Sequence, residues 1–364
     1  MKLQVTQENL NKALGSVARV ATGRSTLPIL SNVLFKTVNN RLSVAATNLD
    51  IAVTHYLGAK VSAEGSITIP ARLIQDFVSN LPNDIIELEL EDKKLHINSK
   101  MYKSVINGVG AEEFPVMPAI DNGSSWKISA QNLKQSLQQV VVAASSDEAR
   151  PVLTGVYFNS FEGQLYAVAT DSYRLAERLL IPTKTDINIL IPASAISDLL
   201  RLIADFDGEV IVTYDDQQVL FKIGDIELVA RLIEGKYPDY RQLIPAKFTT
   251  TIDLPKSELT NITKVSALFA RESAGSITIN VNETDKEISI HSVASQLGEN
   301  TATAKAEVSG DGVVTMNSRY LLEALHALVG DKVKCSFNGK LEPIVITNGQ
   351  KGSNYLHIIM PLKS

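Results

Sequence analysis

The stretch at residues 150–175 repeats an earlier part of the chain. It reads R-P-V-L-T-G-V-Y-F, then, after a polar turn, L-Y-A-V-A-T-D-S-Y-R-L. At a shift of 123 residues it lands on L-P-I-L-S-N-V-L-F and L-S-V-A-A-T-N-L-D, with Leu153 on Leu30, Phe158 on Phe35 and Thr170 on Thr47. A repeat of this length is a whole domain, because solenoid and propeller units run only about 20 to 50 residues.

The same shift holds from end to end. V-T-Q-E-N-L at 5–10 matches I-S-A-Q-N-L at 128–133, I-T-I-P-A-R at 67–72 matches I-L-I-P-A-S at 189–194, and E-E-F-P at 112–115 matches G-K-Y-P at 235–238. A fainter third copy begins at D-L-P-K-S-E-L (253–259) and continues through V-T-M-N-S-R (314–319). Three copies fill the 364 residues, which are too many for one ordinary core but suit three domains of about 120 residues each. The boundaries expected are 1–122, 123–246 and 247–364.

Within the first copy, Leu10, Leu14, Val17 and Ala21 recur at helical spacing over 7–21, after a short strand and a capping Thr6. Alternating or apolar runs at 29–38, 42–46, 51–57 and 66–69 read as strands, and Asn39-Asn40 signals a hairpin because asparagine tolerates positive φ. Pro70 opens a second helix with Leu73, Ile74, Phe77, Val78 and Leu81 expected inward, and strands at 85–90, 94–97 and 102–106 close the copy. The second copy keeps the order, with helices at 131–145 and 193–204. The third has helices at 256–271 and 317–329 and a last strand at 355–360. Short polar connections favour antiparallel hairpins over crossovers, so each copy is an α+β layered domain.

Composition bounds what such a chain does. The 45% hydrophobic and 21% charged fractions are those of a soluble globular protein, no apolar run reaches the roughly 18 residues of a membrane span, and the first residues lack a signal-peptide pattern. One cysteine, Cys335, forms no internal disulfide and reads as a small buried side chain in a reducing, cytoplasmic setting. No catalytic residue, metal site or cofactor emerges. The five histidines are scattered, no phosphate-binding glycine motif occurs, and Glu112-Glu113 and Asp215-Asp216 lie in turns as solvated charge. With 35 basic against 40 acidic residues, the chain is not one that grips DNA through many phosphate contacts. The six helices are nevertheless net basic and the remainder net acidic. Helices facing one way would present a mildly positive surface, although ordinary scatter gives the same arithmetic. On residues alone, a peptide-binding scaffold and an enzyme with a site between copies stay open beside a DNA-encircling protein.

Four motifs narrow this: L-P-I-L near the start, A-T-D-S-Y-R-L-A at 169–176, G-K-Y-P-D-Y at 235–240 and a terminal I-I-M-P-L at 358–362. In this order, and with three tandem copies, the whole chain resembles the bacterial sliding clamp family, the beta subunit of the replicative DNA polymerase. The resemblance implies a head-to-tail homodimer in which six clamp domains form a ring. Helices would line a hole for duplex DNA and sheets would form the wall. It implies no cofactor. The partners implied are encircled duplex DNA, the replicative polymerase subunit, the clamp loader and other replication and repair proteins, without a membrane.

By position, Arg24 and Arg150 would touch the duplex, and Ile106 of one chain would meet Leu268 of the other. The family's cleft for short extended peptides, which carry a glutamine and paired hydrophobic residues, would be built from Leu153, Thr170, Ser172, Tyr173, Arg174, Leu175, Pro238, Leu243, Ile358, Met360, Pro361 and Leu362. Taken without the resemblance, Arg24 is an ordinary loop residue and Leu153, Leu175 and Leu243 are core. Ser172-Tyr173 stands where many members carry Gly-His, Gln242 where arginine is common, Pro151-Val152 where bulkier residues occur, and Ser104 where an aromatic is often found.

Overall fold

The computed structural model describes residues 1–21, 27–115, 119–121, 123–296, 298–350 and 352–362. Arg24 lies outside them. Among the described residues, six α-helices appear in the expected order: α1 (Gln7–Ala21), α2 (Ala71–Ser79), α3 (Ala130–Val140), α4 (Ala193–Leu202), α5 (Lys256–Phe269) and α6 (Ser318–Ala327). Every strand pairing among the described residues is antiparallel.

Compactness follows sheet continuity. One unit comprises Met1–Gln131 and Asp198–Leu232, the other Asn132–Ser197 and Ile233–Ser364. In the first unit, an eight-stranded sheet continues from second-repeat strands ending in Ile226–Arg231 into first-repeat strands beginning with Ile51–Gly58. Leu228 faces Val53 and Ala230 faces Ile51 at that seam. A five-stranded sheet completes the unit, with Lys103–Asn107 at one edge. In the second unit, a nine-stranded sheet joins second-repeat strand Arg174–Pro182 to third-repeat strand Tyr355–Ile359, with Leu175 opposite Ile358. A four-stranded sheet carries Gly298–Lys305 at its edge. Each seam gives two strand edges a partner, which removes main-chain donors and acceptors from water and from stray pairing.

The helices bury the stripes their spacing dictates. In α1, Leu10, Leu14 and Val17 are fully buried against the strands Arg41–Thr47 and Ile51–Gly58, and Ala13 and Ala18 permit the close approach. Asn39 and Asn40 both take positive φ (49° and 58°), as the hairpin signal requires. The expected inward Leu73 is instead 52% exposed. The short α2 buries Ala71, Ile74 and Val78 at i, i+3 and i+7, which leaves Leu73 roughly 100° around the helix from Ile74. The first expected strand begins only at Asn32, because Pro28 opens a 3-10 turn over Pro28–Ser31. Helix α3 stops at Val140 and tightens into a 3-10 turn where three valines run together, a sequence whose branched side chains crowd an α-helical turn. Asn317 caps α6, its side-chain oxygen accepting the Arg319 N–H at 2.9 Å. Cys335 is buried, and burial pushes its thiol up to about 12.

Candidate peptide-binding cleft

The motif A-T-D-S-Y-R folds as a self-bonded turn in the second unit. The Thr170 hydroxyl donates to the Arg174 carbonyl at 2.6 Å and accepts the Ser172 N–H at 3.1 Å, while Asp171 Oδ1 accepts the N–H groups of Tyr173 and Arg174 at 2.9 Å each. This arrangement holds Ser172 at φ 76°. The first unit builds the same turn from A-T-N-L-D-I. There the Thr47 hydroxyl donates to Ile51 O at 3.0 Å and accepts Leu49 N–H at 3.1 Å, Asn48 Oδ1 accepts the N–H groups of Asp50 and Ile51, and Leu49 sits at φ 81°. The sequence repeat is thus reproduced bond for bond.

Both threonines are nearly buried, at 2% and 8% exposure for Thr47 and Thr170. Thr→Val keeps the shape and deletes the hydroxyl, leaving a main-chain N–H without its acceptor. Thr47→Val and Thr170→Val are each expected to cost about 1–3 kcal/mol in urea denaturation. A loss under 0.5 kcal/mol (roughly the surface-substitution range) at either position would show that the hydroxyl does not hold the turn.

Beyond the turn, Arg174 is folded inward. Its Nε donates to Asp171 Oδ2 at 3.0 Å, an Nη1 hydrogen bond reaches Glu323, and its guanidinium lies 4.5 Å over the Tyr320 ring. Burial raises the Glu323 carboxyl, but hydrogen bonds from Arg319 and Arg174 outweigh it and hold the group below its ordinary value. The C-terminal strand lies alongside. Met360 N–H donates to Tyr173 O at 2.8 Å, and Leu362 N–H to Thr315 O at 2.8 Å, so the tail is bonded past the end of its strand. The facing wall is the segment through Pro238 to a 3-10 turn over Arg241–Leu243, in which Leu243 N–H donates to Tyr240 O at 2.9 Å.

Between these elements lies a cleft of about 210 Å³. Eight of the residues named from sequence line it: Thr170, Ser172, Arg174, Leu175, Pro238, Leu243, Ile358 and Met360. Leu153 and Tyr173 instead line a neighbouring hollow of about 540 Å³, together with Arg150, Arg319, Tyr320 and Glu323. Arg174 borders both. Pro361 and Leu362 continue the tail and line neither. Sequence reasoning missed Asp239 and Tyr240, which do line the cleft; they stand inside the quoted G-K-Y-P-D-Y motif, where the signal was available. Leu175 and Ile358 form the floor, at 2% and 0% exposure, whereas Leu243 and Tyr173 are 43% and 62% exposed.

The other named positions are not among the residues that line the cleft. Arg150 is exposed and donates from Nη1 to Ser172 Oγ at 3.2 Å. Ile106 points into the first unit's core at 7% exposure, its neighbour Val105 being the exposed apolar side chain on that strand, while Leu268 on α5 is 54% exposed. Among the described residues, no group of three or more His, Cys, Asp and Glu side chains is placed to hold a metal, and no helix is long and apolar enough to cross a membrane.

Three family models match in tandem: DNA polymerase III beta subunit, N-terminal domain over residues 1–118, central domain over 127–239 and C-terminal domain over 241–363. The chain belongs to the bacterial DNA polymerase III beta subunit family, the sliding clamps. The beta sliding clamp of Synechococcus elongatus is 32% identical over 377 residues, covering 100% of this chain and 99% of the relative. The solved sliding clamp of Bacillus subtilis is similar at a TM-score of 0.94 and 27% identity, and the DNA polymerase III beta subunit of Thermotoga maritima at 0.92 and 25%. Both cover 100% of this chain and 99% of their own. The fold is therefore the three-domain clamp fold, α+β with antiparallel sheets.

Proposed function

We propose that two copies of this chain close head to tail into a ring that encircles duplex DNA, with the cleft as the docking site for peptides of the replicative polymerase, the clamp loader and other replication and repair proteins. The observation that carries this is the strand order at the seams. Within the chain, the third strand after a repeat's first helix (Ile51–Gly58, Arg174–Pro182) pairs with the last strand of the following repeat (Ile226–Arg231, Tyr355–Ile359). By the same rule, the third repeat's Gly298–Lys305 awaits the first repeat's Lys103–Asn107 from another copy. Both are sheet edges with one neighbour among the described strands. Two such pairings, one at each end of each chain, close a two-chain assembly and leave neither edge open.

The three clamp domains would divide near residues 122 and 246, and the six-domain ring would line its hole with the net basic helices. Topology then retains the DNA, so a weak, sequence-independent attraction suffices and permits sliding. The exposed Arg150 suits that contact, as does Arg24 by position. The cleft is apolar at its floor, with Met360 at one side, and methionine repacks around different side chains, which suits several peptides. The role is that of a cytoplasmic processivity factor that tethers enzymes without chemistry of its own.

Sedimentation is expected to give a dimer, and Leu268→Asp, which would place a carboxylate in the contact between copies, a monomer at the same concentration. The dimer, once loaded, is expected to stay on circular DNA and leave linear DNA. A monomeric parent chain, or equal loss from both DNA forms, would refute the ring.

A further inference from the structure

Among the described residues, the cleft wall at residues 238–243 pairs with no strand. Among the same residues its main chain makes the local hydrogen bonds of the 3-10 turn, Leu243 N–H to Tyr240 O at 2.9 Å and Ile244 N–H to Arg241 O at 3.2 Å. Side chains fasten it to the nine-stranded sheet. Tyr237 stacks on Tyr157 with ring centroids 4.6 Å apart, and the Tyr240 hydroxyl donates to Glu177 Oε2 at 2.5 Å and accepts from Asn159 Nδ2 at 3.5 Å. Arg241 joins these parts. Its guanidinium carbon lies 4.0 Å from the Phe161 ring centroid, 4.6 Å from that of Tyr166 and 5.1 Å from that of Tyr240, and its Nη2 is 3.4 Å from the same Glu177 oxygen.

We propose that Arg241 is the positioning residue of the cleft: it does not line the cavity, but it holds Tyr240 and Leu243 at the distance from Leu175 and Ile358 that admits a peptide's apolar side chains. This rests on the reading that the cleft takes a peptide. Glu177 is 6% exposed, and a carboxylate this buried needs a cation and donors around it. Arg241 supplies the cation, and the Tyr240 hydroxyl the short hydrogen bond. Only a flat cation can also face three rings; a lysine ammonium would keep the charge and lose the plane. Removing Arg241 therefore frees the 3-10 turn, and in a Glu177→Gln background it does so without leaving a bare carboxylate in the sheet strand Arg174–Pro182.

Two measurements on the full chain decide this. In hydrogen exchange, Arg241→Ala in a Glu177→Gln background is expected, relative to Glu177→Gln alone, to speed the Leu243 and Ile244 amides at least tenfold while the sheet amides keep their rates. Unchanged rates at 243 and 244, or a rise throughout the sheet, would overturn the proposal. In binding, the probes are a synthetic pentapeptide that begins with glutamine and ends in leucine-phenylalanine, and its variant ending in leucine-alanine. Arg241→Ala is expected to weaken the first about tenfold and the second no more than twofold. Equal losses would make Arg241 a general stabiliser and overturn the proposal, as would full recovery of both readouts by Arg241→Lys. A parent chain that binds neither peptide refutes the docking function instead, and the exchange rates still decide the role of Arg241.

Discussion

Lowering the pH from 7 to 5 is expected to cost the second unit about 2 kcal/mol of stability through one side chain, His357. This histidine is fully buried in the last strand, one residue before the cleft floor residue Ile358, and its Nδ1 lies 2.9 Å from the Tyr355 hydroxyl. Burial, reinforced by the Arg174 charge, depresses its pKa to about 3 from an ordinary 6.5. The unfolded chain therefore takes up a proton near pH 6.5 while the folded chain refuses it until near pH 3. Stability from this group is fully present above about 6.5 and is lost as the pH falls toward 3, at about 1.4 kcal/mol per pH unit within that window. His55, in the other unit, is depressed to about 4 chiefly by burial and acts in the same direction. His357→Gln does not titrate, so its urea-unfolding stability is expected to change about 2 kcal/mol less than the parent's between pH 7 and 5. Identical pH slopes for the two proteins would remove His357 from the account.

The second large effect is expected at the cleft floor. Leu175 is 2% exposed, faces Ile358 across the seam, and belongs to a buried cluster with Val168, Leu190, Tyr237, Tyr240 and Val345. Leu175→Ala removes apolar volume from that cluster, a change that costs roughly 2–5 kcal/mol in buried sites. The new space opens onto the 210 Å³ cleft and is not sealed, so the cost should fall in the lower half of that range. Leu228 at the first unit's seam is fully buried, and the residues lining the 210 Å³ cleft do not include it; Leu228→Ala should reach the upper half. Peptide affinity should fall at least tenfold for Leu175→Ala and stay unchanged for Leu228→Ala. If the two substitutions cost the same stability, the floor of the cleft is an ordinary core. If affinity survives Leu175→Ala, peptides dock elsewhere.

Much of the local structure was legible because its causes are local. The Asn39-Asn40 hairpin and the buried stripe of α1 follow from backbone tolerance and helical spacing. The turns at residues 170–172 and 47–49 are just as local, built by hydrogen bonds no more than four residues long, yet in the sequence they showed only as a repeated motif and not as turns. The strand Lys60–Ala63 went unread because its single large apolar residue, Val61, carries no period. Leu73 was misplaced because a nine-residue helix has room for only one narrow buried face.

The cleft divides along the same line. Its motifs were visible as repeats and endings, and the resemblance supplied their meaning. Their meeting place was not visible, since Leu175 and Ile358 are far apart in sequence and become neighbours only when two repeats share a sheet. Threefold repetition, the helix and strand order and the turn chemistry were determined by the sequence by itself, because each depends on residues a few positions apart. Which strand edges join, which side of a strand Ile106 faces, and how Arg241 comes to lie among three aromatic rings were decided by the tertiary structure alone. Long-range pairing depends on burying edges and apolar faces together, and that free energy belongs to no single segment.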